Sequence, residues 1–160
     1  AASDAEVVFL PAYVAEVGAI LTQAFNMGMD IPFVGADGWD GIEADYAEAA
    51  EGHYFGNHYS KSDPASVVVD FVANYEATYG ESPNALAALA YDAVYAMAAA
   101  FEEAGSSDAD LVIAALAGLE YNNAVTGSIK FDANGDPIKA VTIIQVVDGE
   151  HVVVDKVESE

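Results

Sequence analysis

The sequence predicts an α/β fold built on a mostly parallel sheet, and three observations carry that reading. Short continuous apolar runs, Val7 to Leu10 and Ile31 to Val34, alternate with stretches of helical period. The middle of the chain is helical with no strand between its helices. The last third closes on a strong hairpin signal, Asp148-Gly149, set between two runs rich in β-branched residues.

The elements follow in order. Val7 to Leu10 is an unbroken apolar run, as expected of a strand buried on both faces. Val14, Val17, Leu21, Ala24 and Phe25 recur three or four apart, which predicts an amphipathic helix ending near Gly28. Ile31-Pro32-Phe33-Val34-Gly35 is a second strand, Glu43 to Ala50 a short helix and His53 to Tyr59 a third strand. This β-α-β-α-β order implies parallel strands with helices on both faces. Its strand-to-helix loops then open at the carboxyl edge of the sheet, where such folds bind ligands.

Ser62-Asp63-Pro64 reads as a cap with proline at the first helical position, followed by an apolar stripe from Val68 to Tyr79 that Gly80 ends. Ser82-Pro83 restarts a helix whose stripe is Leu86, Leu89, Ala93, Val94, Met97 and Phe101, stopping at Gly105. Ser107-Asp108 caps a third, through Leu119. Three successive helices cannot cover the first sheet in βαβ fashion, so they are expected to pack on another sheet. Ser128 to Phe131 and Val141 to Val147 are strands flanking the turn-forming Asp132 to Pro137.

Composition removes several functions. The 160 residues hold 27 Asp and Glu against 4 Lys and no Arg, a formal charge of −23. Nucleic acid and anionic membrane surfaces would be repelled, and no arginine clamp on a phosphate or carboxylate is available. With 54% apolar residues the chain is no disordered acidic tail, and its length suits one domain or two small lobes. Cysteine is absent, so there are no disulfides and no thiolate metal sites. The longest uncharged run, Val17 to Met29, falls short of the roughly 20 residues of a membrane span, and none is expected. Ala1 to Glu6 lack the basic start and apolar stretch of a signal peptide.

Few residues suggest chemistry. Asp132, Asn134 and Asp136 alternate as in a calcium loop, but Pro137 and Ile143 stand where glycine and glutamate are wanted, so a turn is read there. His53, His58 and His151 are too scattered for metal spacing, no Gly-x-Ser-x-Gly elbow occurs, and no cofactor is implied. Asp37, in Gly35-Ala36-Asp37-Gly38-Trp39, lies just past the second strand. Beside Trp39 its carboxylate could receive an ammonium by charge-assisted hydrogen bonding, the plainer alternative being a turn. Tyr13 holds the equivalent position after the first strand, where its ring could instead close the core. Two such residues at one sheet edge suggest a pocket.

The ordered series of segments resembles the C-terminal half of type I periplasmic substrate-binding proteins, specifically the branched-chain amino-acid (Leu/Ile/Val) binding family of ABC importers. The matching residues are Asp4 to Leu10, Ile31 to Trp39, Glu51-Gly52-His53-Tyr54, Phe71 to Gly80, Ala88 to Val94, and Thr126 to Asp132 with Gly135-Asp136. The resemblance implies two Rossmann-like lobes with ligand closed between them. Residues 1–59 would form a βαβαβ segment of the second lobe, 60–137 a helical segment completing the first, and 138–160 strands returning to the second. It further implies a periplasmic or extracellular solute-binding protein without catalytic activity, with a lipid anchor as one option. A membrane permease would be its partner. Asp37 would hold the ligand's α-ammonium, with Tyr13 and Trp39 in the pocket and Leu86 touching the ligand side chain. The donors for the ligand's carboxylate would come from an N-terminal half, in the same or another chain. A sensor domain of the same fold for amides or other small polar ligands, and an acid-pair hydrolase, are the alternatives.

Overall fold

The computed structural model describes residues 4–159. Residues 1–3, on which the reading of the chain's start partly rests, lie outside the described residues. The fold divides into two compact units, one running to Ser60 and resuming at Val141–Val157, the other centred on Lys61–Ala140.

In the first unit β1 (Val8–Phe9), α1 (Val14–Asn26), β2 (Phe33–Gly35), a 3-10 turn (Asp37–Trp39), α2 (Glu43–Ala50) and β3 (Tyr54–Asn57) follow the expected alternation. β1 pairs in parallel with β2, and β2 in parallel with β3. The late strands β6 (Val141–Val147) and β7 (Glu150–Val157) join the same sheet antiparallel, in the order β1-β2-β3-β6-β7. The parallel part is thus the N-terminal half of the sheet, and both ends of the unit build it. Asp148 and Gly149 take φ of 53° and 74°, the left-handed pair that a two-residue hairpin turn requires.

Its core is continuous. Val17, Leu21 and Ala24 of α1 pack with Phe33, Trp39, Ile42, Phe55, Ile144 and Val146, all buried. At about 25 cal/mol per Å² of apolar surface removed from water, each of the larger side chains contributes roughly 2–3 kcal/mol. Gly18 lies against the ring of Tyr46, so the bare backbone of α1 makes room for that α2 side chain.

The second unit holds α3 (Ser66–Tyr79), α4 (Ala85–Ala104) and α5 (Ala109–Ala117), with a small antiparallel pair, β4 (Glu120–Tyr121) and β5 (Ile129–Lys130). α3 begins later than the sequence suggests. Asp63 accepts a hydrogen bond from the Ala65 amide at 2.9 Å, so Asp63-Pro64 forms a local turn ahead of the helix. α4 is capped by Asn84, whose side chain accepts from the Ala87 amide, and α5 by Asp108. Gly80 and Gly105 end their helices in the left-handed conformation.

α4 turns its small residues inward, and its large apolar stripe is left facing out, as expected of helices that pack on another sheet. Its buried residues are Ala85, Ala88, Asp92, Ala96 and Ala100. The larger stripe instead faces out, with Leu86 68%, Val94 69% and Met97 38% exposed. Small residues let α4 lie close over Ala124 and Ile129, and the acid among them is the reason that face folds inward. Asp92 Oδ1 accepts from the Val125 amide at 2.8 Å, while Oδ2 accepts from the Thr126 amide at 2.8 Å and the Thr126 hydroxyl at 2.7 Å. Lys139 Nζ donates to the same hydroxyl oxygen at 2.7 Å. α4 is long and apolar enough to cross a membrane by length and composition, a feature hidden from a search for uncharged runs by Asp92. A carboxylate holding three donors at its centre is the mark of a helix packed in a folded domain.

Asp132 organises the turn before β6. Its Oδ1 accepts from the amides of Asn134 and Asp136 at 2.8 and 2.9 Å, and Gly135 takes φ of 88°. Backbone hydrogen bonds from Asp136 and Asn134 hold its carboxyl below the ordinary carboxylate value.

Candidate functional site

Three loops leave the carboxyl ends of three adjacent parallel strands, and each brings one side chain to the same edge. After β1 the chain runs through Leu10, Pro11 and Ala12 to Tyr13, the residue preceding α1, whose ring is 77% exposed. After β2 it turns at once into the 3-10 turn that begins with Asp37. After β3 it reaches His58.

Close approach holds the first two loops together. A side chain on Gly38 would stand 2.7 Å from the Ala12 carbonyl oxygen and 3.2 Å from the Tyr13 ring. The Asp37-Gly38 turn therefore lies directly against Ala12-Tyr13. Trp39 anchors it from below: its indole is fully buried over Gly35, and Nε1–H donates to the Leu10 carbonyl at 2.9 Å. In this unit the ring offers no surface to a ligand, and instead ties the loop after β2 to the loop after β1.

The Asp37 carboxylate stays half-exposed, and beside it stands the imidazole of His58, whose Nε2 lies 3.6 Å from Asp37 Oδ2. The sequence offers His58 only as one of three scattered histidines, on a third strand expected to run to Tyr59. That strand ends at Asn57, which turns His58 toward the edge. Asn57 is itself buried, accepting from the His58 amide at 2.8 Å and donating through Nδ2 to Asp40 Oδ1 at 2.9 Å. Asp40 is thus no free exposed neighbour of Asp37; it fastens the 3-10 turn to the end of β3. A polar residue closing an apolar strand, Phe55-Gly56-Asn57, was the available signal. Leu86 belongs to the other unit, exposed near the start of α4, and is not among the residues that the first unit brings together.

The opposite, amino edge of the same sheet holds a hollow of about 910 Å³, lined in part by Phe25, Met29, Phe33, Glu51 and His53. Burial lowers the proton affinity of His53, whose Nδ1 accepts from the Phe33 amide at 3.5 Å. Size alone does not make it the site, because the converging polar groups lie at the other edge.

A family model described as periplasmic binding protein matches residues 1–150. This chain belongs to that family. The binding protein has the type I fold, only part of which is present here. It is similar to a leucine-binding protein, LivK, of Thermotoga maritima, with a TM-score of 0.87 and 31% identity over 96% of this chain and 45% of that one. It is also similar to LivJ of Streptococcus pneumoniae, a branched-chain amino-acid transporter substrate-binding protein solved with isoleucine, at TM-score 0.85 and 31% identity over 98% and 45% of the two chains. A solute-binding protein of Rhodopseudomonas palustris bound to benzoate shares the fold at TM-score 0.84 and 21% identity, over 97% and 44%. The chain thus spans under half the length of the structures it matches. Among curated proteins no relative matches. The binding protein is homologous to ABC-transporter substrate-binding proteins, an extracytoplasmic family in bacteria.

Proposed function

We propose that this chain is the C-terminal part of a solute-binding protein of an ABC importer, closing on a branched-chain or similar amino acid and delivering it to a membrane permease. The observation that carries the reading is the shared edge at which the Asp37 turn packs on Tyr13, with a half-exposed carboxylate and no arginine or lysine paired to it among the described contacts. A free amino acid brings a compact ammonium whose desolvation costs several kcal/mol unless it meets a charged acceptor. Asp37 supplies that acceptor, and the Tyr13 ring gives an amphipathic wall beside it. No catalytic step is assigned. The amino-acid ligands of the two relatives at 31% identity favour this choice over a ligand lacking an ammonium.

In this reading the helical segment 60–137 belongs to the first lobe, and a preceding α/β segment covers the outward stripe of α4 and supplies donors for the ligand's carboxylate. Leu86 then contacts the ligand side chain. Calorimetry on the complete parent chain tests the assignment, comparing leucine, isoleucine and valine with benzoate. Asp37→Asn keeps the shape and loses the charge, so amino-acid affinity should fall by about 2–5 kcal/mol, the range for leaving a buried charge unpaired. Unchanged amino-acid affinity in that variant removes Asp37 from the site.

A further inference from the structure

We propose that His58 is a positioning residue of this site that makes ligand binding depend on proton concentration. The inference rests on Asp37 as the ammonium acceptor and adds a competitor for it. His58 Nε2 stands 3.6 Å from Asp37 Oδ2, while its Nδ1 is buried without a protein partner. The backbone at His58 is held from behind, because Asn57 accepts from the His58 amide and itself donates to Asp40. From that anchored position the imidazole faces the Asp37 carboxylate.

The other charged groups nearby are few. The 3-10 turn and the residue after it contribute Asp37 and Asp40, and the Tyr13 ring borders the turn. β6 sets Thr142, which does not titrate, opposite Asn57, and β7 sets Lys156 opposite Thr142.

Histidine is the side chain that ordinarily changes charge between about pH 5 and 8. Above that range a neutral imidazole leaves Asp37 open to an incoming ammonium. Below it an imidazolium occupies the carboxylate as an ion pair and places a second positive charge beside the ligand's ammonium. Both effects weaken amino-acid binding as pH falls. A ligand without an ammonium escapes them.

The test is a calorimetric series on the complete parent chain with leucine at pH 8.0, 7.0, 6.0 and 5.5, stopping above the range in which carboxylates ordinarily take up protons. The Kd should rise about tenfold from pH 8.0 to 5.5 in the wild type, as expected when one charge appears beside a half-exposed pair. In His58→Gln the ratio of the two Kd values should approach one. His58→Lys, cationic throughout, should bind weakly at both ends with little slope. Tight leucine binding that Asp37→Asn abolishes, combined with a flat wild-type profile or an equal slope in His58→Gln, overturns the role of His58 and leaves the site reading intact. Absence of leucine binding at pH 8.0 contradicts the site reading and this inference together.

Discussion

Gly38 shows how much of the site depends on single residues. Its missing side chain lets the turn after β2 rest on the Ala12 carbonyl, so Gly38→Ala must push two backbone segments apart. The expected loss is about 1–3 kcal/mol in urea denaturation, the usual cost of overpacking, with a larger proportional loss of ligand affinity because Tyr13 and Asp37 separate. Wild-type stability and affinity in that variant would contradict the described contact. Asp132 gives a pH-dependent case. Its carboxyl is depressed in the folded chain, so the stabilisation it gives is present above the ordinary value of 3.8 and is lost as pH falls from there through the folded value. The protection of the Asn134 and Asp136 amides, measured against their intrinsic exchange rates, should therefore fall below about pH 4, and protection unchanged there would refute the assignment. At this scale the sequence was legible where geometry is local, as at the Asp148-Gly149 turn. It was not legible for Trp39 or His58, whose roles are set by where a strand ends and which carbonyl an indole meets.

At the scale of elements, apolar periodicity placed β1, α1, β2, α2, β3, β6 and the hairpin in their order, because strands and helices that cover one sheet share a simple pattern. The face of α4 resisted the same logic. Alanines outnumber the large apolar residues on the helix, yet periodicity draws attention to the bulkier stripe, whereas a buried carboxylate with three donors turns the alanine side inward. Asp92→Asn replaces one acceptor oxygen by a donor and leaves an amide or hydroxyl unpaired. A loss of about 2–4 kcal/mol is expected, since a buried hydrogen bond to a charged group contributes about 1.5–3 kcal/mol and the new donor lacks an acceptor. Asp110→Asn, on the exposed first turn of α5, should change stability by less than about 0.5 kcal/mol. Chemical denaturation of both variants checks this, and equal small effects would deny Asp92 its part in holding α4 to the loop at Val125-Thr126. β4 was missed for a similar reason: two residues, Glu120-Tyr121, pair with β5 without any period of their own.

Over the whole molecule, charge and exposed apolar surface act in opposite directions. A net charge of −23 repels itself, so moderate salt should raise the denaturation midpoint of the chain by screening. The outward stripe of α4 is the contrary liability, for Val94, Met97 and Phe101 lie 38–69% exposed on one helix. The 160-residue chain alone should bind an apolar dye such as anilinonaphthalene sulfonate, and Val94→Lys with Met97→Lys should reduce that binding. Equal dye binding by that double variant would place the apolar surface elsewhere. The central claim, that Asp37 receives an amino acid's ammonium at the carboxyl edge of the first unit's sheet, is tested most directly by a crystal structure of the complete parent chain with isoleucine. The account predicts the ligand nitrogen within about 3 Å of an Asp37 carboxylate oxygen, as in a charge-assisted hydrogen bond, with the Tyr13 ring alongside. An isoleucine whose ammonium is held by other groups, with Asp37 left in solvent, would contradict it.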